Sequence, residues 1–118
     1  RIVEAEATDK DEKSKILVAN VILNRVRSKE FPNSIESVVF QRAYGKVQFS
    51  PTADGRYESV RITKSTKRSV KKALEDGIDY SEGALYFVEK TMANPKNVSW
   101  FDEALTRLFT YQGHSFYK

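Results

Sequence analysis

The sequence has 118 residues, of which 40% are hydrophobic and 31% are charged, and its formal net charge is +4. This length and balance predict one domain, residues 1–118, and exclude two ordinary domains. No run of roughly 18 apolar residues is present, which excludes a membrane-spanning helix. The chain has no cysteine, so disulfides, a thiolate nucleophile and thiolate-bound metals are excluded as well.

Helix-forming segments dominate the first third of the chain. A first helix is predicted over Arg1 to Ala7, followed by a polar break at Asp9 to Glu12. From Ser14 to about Arg27, apolar residues cover nearly every side of the helix, which predicts a helix buried on most sides. Asn33, with Glu36 three residues later, fits a capping box for a short third helix. That helix would carry Ile35, Val38 and Val39.

Turn-forming and strand-forming residues characterise much of the rest of the chain. Arg42 to Tyr57 contains glycine, proline and an Asp-Gly pair, and is predicted as a long loop with one short strand around Val47 to Phe49. A helix follows, and Gly77 is its predicted end. Three strands are predicted at Ala84 to Val88, Arg107 to Tyr111 and Ser115 to Tyr117. The predicted fold class is therefore α+β, helix-rich, with a small antiparallel sheet formed mainly by the C-terminal half.

The positive charge is concentrated in the predicted helix before Gly77. Between Arg61 and Lys72 there are six basic residues and no acidic one. Five of them have the spacing of one helical face: Lys64, Lys67, Arg68, Lys71 and Lys72. The pattern favours the solvated side of an amphipathic helix whose inner side is Val70, Ala73 and Leu74. The alternative is a surface that attracts a polyanion, either nucleic acid or an anionic wall polymer.

Among the side chains that could carry chemistry, Glu6 has an unusual position. At roughly 100° per residue it projects between Ile2 and Val3, whereas Glu4 projects nearly opposite. A carboxyl on an apolar face loses hydration, which raises its pKa and suits a general acid. A glutamate at the rim of the helix contact, paired with a base, is the simpler interpretation of this pattern alone. Asn20 and Asn24 on the second helix are expected to bond loop backbone, with substrate positioning as the alternative.

Metal and triad chemistry are poorly supplied with ligands. The single histidine, His114, is too few for a hydrolytic zinc site, and no cofactor or metal is predicted. A serine-histidine-acid system would need His114 within a stretch typical of a turn, so an ordinary turn histidine is favoured. Carboxylates, amides and aromatic rings are abundant, and they suit glycoside chemistry or binding.

Six segments of the chain together resemble the SleB-type cell wall hydrolase family, which includes the spore cortex-lytic enzymes. They are Arg1 to Ala7, Val18 to Val26, Phe31 to Ile35, Gln48-Phe49-Ser50 with Asp54-Gly55, Gly83 to Phe87, and Gly113 to Tyr117. They occur in the order and spacing of the family and cover nearly all of the chain. The chain departs from the family at Asp9-Lys10-Asp11, at Asn20 and over Lys90 to Ser99, which leaves the preferred type of wall open.

The resemblance implies a lysozyme-like domain that acts on peptidoglycan, with Glu6 as the catalytic acid. A glycosidase normally uses two carboxylates, and only Asp54 or Asp9 could be the second. A lytic transglycosylase needs one, which favours cleavage between N-acetylmuramic acid and N-acetylglucosamine with 1,6-anhydromuramic ends. The alternatives are a hydrolytic muramidase or wall amidase of the same fold, a peptidoglycan-binding module without activity, and a basic nucleic-acid-binding domain, which lacks a recognisable motif.

Substrate contacts and location follow from the same hypothesis. Sugar rings present apolar faces and hydroxyl edges, so aromatic and amide groups are expected to form the subsites. The candidates are Gln48, Phe49, Ser50, Tyr86 and Asn24. The expected partners are peptidoglycan glycan strands and an anionic wall polymer, without nucleic acid. The protein is expected to be a monomer that acts in the cell wall or is secreted.

Overall fold

The computed structural model describes residues 1–43, 46–47, 49–89 and 103–118. The helices within these ranges are α1 (Ile2–Glu6), α2 (Glu12–Arg27), α3 (Ile35–Val39), α4 (Pro51–Asp54), α5 (Arg56–Ser59) and α6 (Lys64–Leu74). The strands are β1 (Arg42–Ala43), β2 (Lys46–Val47), β3 (Tyr86–Glu89), β4 (Arg107–Tyr111) and β5 (His114–Tyr117). In these ranges the predicted class is confirmed: the fold is helix-rich, with a three-stranded antiparallel sheet in its C-terminal half.

Helix α2 is the central element, and the prediction that it is buried on most sides is confirmed. Asp11 caps its first turn by accepting a hydrogen bond from the Ser14 amide at 2.8 Å. One side, which includes Ile16 and Ile22, packs with α1, α3 and α6. Another side packs Leu17 and Val21 against the sheet. Because both clusters meet on α2, this helix fixes the position of the other elements.

The helix α3 is present as predicted, but its cap is one residue later than expected. The Ser34 side chain, not Asn33, accepts the hydrogen bond from the amide of Ser37, at 3.2 Å. Ser34 has extended backbone angles (φ −136°, ψ 154°), which aim its hydroxyl at the first turn. The predicted capping box between Asn33 and Glu36 is therefore wrong.

The segment predicted as a long loop contains more structure than expected. Strands β1 and β2 pair antiparallel, with Arg42 opposite Val47. Two four-residue helices, α4 and α5, follow and were not predicted. Pro51 begins α4, and Gly55 separates the two helices with a φ of 86°, which glycine adopts without steric cost. Such short helices produce no detectable apolar period in the sequence.

Helix α6 confirms the amphipathic interpretation and corrects its inner side. Its buried residues are Thr66, Ser69 and Ala73, while Val70 is half-buried. Leu74 was expected inside but is 49% exposed, and it lines an apolar groove together with Ile35 and Phe40. The helix ends at Leu74, and Gly77 follows with a φ of 68°, close to the predicted end.

The sheet has the order β3-β5-β4, with both pairs antiparallel. The hairpin between β4 and β5 turns at Gln112 and Gly113, whose φ values are 46° and 85°. Two successive positive φ values match the right-handed twist of a hairpin, which explains the Gln-Gly pair. All four residues of β5 are buried, since this strand has a neighbour on each side and α2 on one face. No helix in the described residues is long and apolar enough to span a membrane.

Candidate active site

The two glutamates of α1 occupy different environments, and the opposite of the expected arrangement is observed. Glu6 is the last residue of α1 and is half-buried, whereas Glu4 is only 4% exposed. One oxygen of Glu4, Oε1, accepts hydrogen bonds from the Thr63 amide at 2.8 Å and from Thr66 Oγ1 at 2.9 Å. The helical projection assumed one buried face, but α1 buries Ile2, Val3 and Ala5 as well as Glu4. Glu6 is thus the more accessible carboxyl.

A buried arginine lies next to two of the predicted substrate contacts. Arg25, near the end of α2, is 5% exposed. Its guanidinium carbon lies 4.8 Å from the ring centre of Phe31, 5.1 Å from that of Phe49 and 5.2 Å from that of Tyr86. Its Nε donates a hydrogen bond to the carbonyl of Leu85 at 2.7 Å. The sequence predicted Phe49 and Tyr86 individually, and Arg25 is the group that joins them.

Burial lowers the pKa of Arg25 to about 10, and its Nη1 has no hydrogen-bond partner in the structure. The guanidinium stays protonated at neutral pH and is stabilised by the ring faces instead of by a carboxylate. Sequence reasoning missed this residue. The available signal was a cation on a helix that is otherwise apolar around most of its circumference.

The other predicted contacts have distinct surroundings. Phe49 is 3% exposed and belongs to the core, Tyr86 is half-buried, and Ser50 is exposed beside α4. Asn24 donates hydrogen bonds at 2.8 Å to Ser81 Oγ and to the carbonyl of Ala84. These bonds occupy its amide nitrogen in holding the segment before β3. Gln48 lies outside the described residues.

Neither candidate for a second carboxylate lies in a buried site. Asp54 is exposed and forms an ion pair with Arg56, whose Nε lies 2.9 Å from Oδ2. Hydrogen bonds from the backbone and side chain of Arg56 lower the pKa of Asp54. Asp9 is exposed at the turn between α1 and α2, with a φ of 60°.

His114 is not in a turn, as expected, but begins β5. It is buried, and its ring centre lies 5.2 Å from that of Phe87. In the described ranges, no group of three or more His, Asp and Glu residues could hold a metal ion.

The family model for cell wall hydrolases matches residues 9–117 of this chain. The chain belongs to this cell wall hydrolase family. The resemblance noted from the sequence motifs is thereby confirmed. The match begins after Glu6, so it does not by itself assign a role to that residue.

Two spore cortex-lytic enzymes are similar to this cell wall hydrolase domain. The enzyme of Bacillus subtilis (strain 168) is 34% identical over 85 residues, which are 72% of this chain and 26% of the relative. The enzyme of Bacillus cereus is 38% identical over 85 residues, with 69% and 29% covered. The chain thus spans between a quarter and a third of the length of these relatives.

Solved structures cover almost the whole chain. The catalytic domain of the germination-specific lytic transglycosylase SleB from Bacillus anthracis has a TM-score of 0.81 and 28% identity, and covers 99% of this chain and 88% of its own. The catalytic domain of the Bacillus cereus SleB protein has a TM-score of 0.76 and 28% identity, with 99% and 84% covered. These neighbours share the helix-rich architecture over α1 as well as over the family match.

Proposed function

We propose that this domain is an enzyme that degrades peptidoglycan by cleaving the glycan strand between N-acetylmuramic acid and N-acetylglucosamine. We propose further that it is a lytic transglycosylase whose products end in 1,6-anhydromuramic acid. The observation that carries the proposal is the similarity to the catalytic domain of a germination-specific lytic transglycosylase, at a TM-score of 0.81 over 99% of the chain. Spore cortex is the wall named by the curated relatives, and it is the first substrate to test.

Glu6 is the proposed acid and base of both steps. It first donates its proton to the glycosidic oxygen as the bond from that oxygen to the muramic C1 breaks. It then accepts the proton of the muramic 6-hydroxyl as the oxygen of that group bonds to C1, which restores the acid. One carboxyl is sufficient because the nucleophile belongs to the substrate. Its half-buried position at the end of α1 leaves it within reach of solvent and substrate.

The other carboxylates suit this role less well. Hydrogen bonds hold the pKa of Asp54 below its usual range, as they do for Glu4 and Asp11 despite the opposing effect of desolvation. A carboxyl with a lowered pKa is ionised at neutral pH and cannot donate a proton. Tyr86 and Ser50 retain exposed surface for a sugar ring or its hydroxyls, with Phe49 behind them in the core. Gln48 is proposed as a neighbouring contact, and Asn24 as support for this wall.

Glu6→Gln tests the proposal, with Glu58→Gln as the matched control on the exposed surface of α5. On purified peptidoglycan, Glu6→Gln should lose about 10²- to 10⁴-fold in rate, and the control should keep its rate. Products of the unaltered protein should carry ends one water lighter than hydrolysed ends. Full-mass reducing ends would identify a hydrolytic muramidase. An active Glu6→Gln protein would refute the mechanism.

Two other members of the alternatives give separate results. A zinc amidase would release free amino termini of stem peptides and would stop in EDTA until zinc is added. A binding module would retain sacculi without releasing fragments. The proposed transglycosylase should be unaffected by the chelator, since its chemistry needs only Glu6 and the substrate hydroxyl.

The basic face of α6 is proposed to attract an anionic wall polymer while the enzyme acts, as a monomer, in the cell wall or after secretion. Lys64, Lys67, Arg68 and Lys71 are exposed, whereas Lys72 forms an ion pair with Glu12. Replacing Lys64, Lys67 and Lys71 with Gln should weaken binding to whole walls at low salt, and the difference should vanish as salt screens the field beyond about 8 Å. Turnover of short soluble glycans should not change. An equal loss on both substrates would contradict this placement.

A further inference from the structure

The buried carboxylate of Glu4 has no step in the proposed reaction, yet it is bonded across 59 residues of sequence. Both of its printed partners, the amide of Thr63 and the hydroxyl of Thr66, belong to the beginning of α6. Thr63 is also the N-cap of α6, and its Oγ1 accepts a hydrogen bond from the Thr66 amide at 3.2 Å. The carboxylate therefore binds donors that α6 cannot satisfy internally, at the helix end where negative charge is favoured.

A third helix contributes to the same cluster. Lys15 of α2 is 4% exposed, and its Nζ donates a hydrogen bond to Ser65 Oγ at 3.4 Å. Desolvation raises the pKa of Glu4, but the hydrogen bonds from Thr63 and Thr66 and the charge of Lys15 outweigh it and lower the pKa overall. We call Glu4, Lys15, Thr63 and Thr66 the Glu4 cluster. It joins α1, α2 and α6 through an ionised carboxylate.

Helix α1 depends on such external contacts. It has five residues, and its N-cap residue, Arg1, makes no capping hydrogen bond through its side chain. A helix this short is not stable alone in water. Successive residues are rotated by about 100°, so Glu4 and Glu6 project roughly 200° apart. When Glu4 is held against α6, the rotation of α1 about its axis is fixed, and with it the direction of Glu6.

We propose that Glu4 is a positioning residue, which uses Thr63 and Thr66 of α6 to orient Glu6 for proton transfer. This inference rests on the proposed function of Glu6. The reason for a buried anion at this place is rotational precision: apolar contacts of Ile2, Val3 and Ala5 hold α1 in the core but allow it to turn, whereas two directed hydrogen bonds do not. Proton transfer is sensitive to displacements of the acid near 1 Å.

Thr66→Val tests the inference with a minimal change. The substitution removes the hydroxyl that bonds Glu4 and keeps the shape of a side chain that is 1% exposed. Thr110→Val in β4 is the matched control, because it makes the same change and removes a hydroxyl that lies 3.1 Å from Ser115 Oγ. Thr66→Ser restores the hydroxyl and is the rescue variant.

At a temperature at which all variants are folded, Thr66→Val should lower kcat on soluble glycan fragments by about 10- to 100-fold and leave KM unchanged. Thr66→Ser and Thr110→Val should keep most of the wild-type kcat. A lower melting temperature of Thr66→Val with full kcat would overturn the inference, because a merely structural role predicts that result. A raised KM with unchanged kcat would overturn it as well.

Hydrogen exchange separates this inference from the proposed function. The amides of Ala5 and Ala7 donate to the carbonyls of Arg1 at 3.0 Å and Val3 at 2.9 Å, so their exchange reports on α1. Thr66→Val should speed their exchange by about tenfold, and Thr110→Val should not. Unchanged exchange in Thr66→Val would refute the anchoring of α1 by Glu4. If the wild-type protein releases no glycan fragments, the proposed function fails, whatever the exchange rates are.

Discussion

Asn20 offers the sharpest test of how the segment before β3 is held. Its amide lies on α2 and is 3% exposed. Nδ2 donates to the carbonyl of Ile78 at 2.9 Å, and Oδ1 accepts from the amide of Tyr80 at 3.1 Å. One side chain thus satisfies both a donor and an acceptor of the same backbone segment. We predict that Asn20→Ala destabilises the fold and leaves KM for glycan fragments unchanged.

The expected loss can be estimated from these contacts. Two hydrogen bonds contribute about 2 kcal/mol together, and removing a buried amide adds a small packing loss, so the free energy of unfolding should fall by about 2 to 4 kcal/mol. Tyr80 is 45% exposed, which allows water to replace part of what is lost at its amide. For a domain of this size the melting temperature should fall by about 8 to 15 °C.

Urea unfolding followed by circular dichroism measures the change directly. Asn33→Ala is the matched control, because Asn33 is exposed and does not cap α3, and it should change the free energy by no more than about 0.5 kcal/mol. If Asn20→Ala is as stable as that control, the two hydrogen bonds do not hold the segment. A raised KM with normal stability would instead favour the substrate-positioning alternative.

Asn20→Asp adds a pH dependence with a defined sign. The new carboxylate can still accept from Tyr80 but faces the carbonyl of Ile78 without a donor. Burial raises its pKa in the folded state above the unfolded value of about 4. The folded state then binds a proton that the unfolded state lacks, so the loss relative to wild type should grow as pH rises above 4 and shrink below it. A loss that is equal at all pH values would contradict this geometry.

Three further outcomes follow from the structure. Asp54→Asn should keep full lytic activity, because Asp54 is exposed and paired with Arg56; a rate loss near that of Glu6→Gln would indicate a second catalytic carboxylate. Ser34→Ala should lower the urea midpoint by the equivalent of about 1 kcal/mol, in contrast to the small effect of Asn33→Ala. The lowered pKa of Glu4 stabilises the fold above its unfolded pKa and is lost in acid, so Glu4→Gln should flatten the stability curve between roughly pH 5 and 2.

The elements that the sequence predicted well depend on neighbouring residues. The hairpin of β4 and β5 has alternating large residues on each side of a Gln-Gly turn, and its bounds differ from the prediction by one residue at most. Helix α2 was recognisable because apolar residues surround it. Where several residues could make the same local bond, the prediction was less exact: Asn33 and Ser34 can both cap a helix, and only the backbone conformation selects Ser34.

The candidate site shows where such local reasoning fails. The projection of α1 ranked its residues by hydrophobicity and placed Glu4 outside, because no apolar stripe includes it. Its burial depends on two threonines 59 and 62 residues away, which supply hydrogen-bond donors at the start of another helix. Likewise, Arg25 is buried because rings from three separate segments surround it. Neither environment exists until the chain has folded.

The failed projection also makes the proposed chemistry more plausible in physical terms. A fully buried Glu6 would have a favourable pKa but no access to a polysaccharide, whereas a fully exposed one would have access but an ordinary pKa. Glu4 takes the buried position and is neutralised there by donors from α6 and by the charge of Lys15. Because α1 can present only one of these two carboxyls to α6, burying Glu4 leaves Glu6 at the half-buried position that a general acid for a polymer requires.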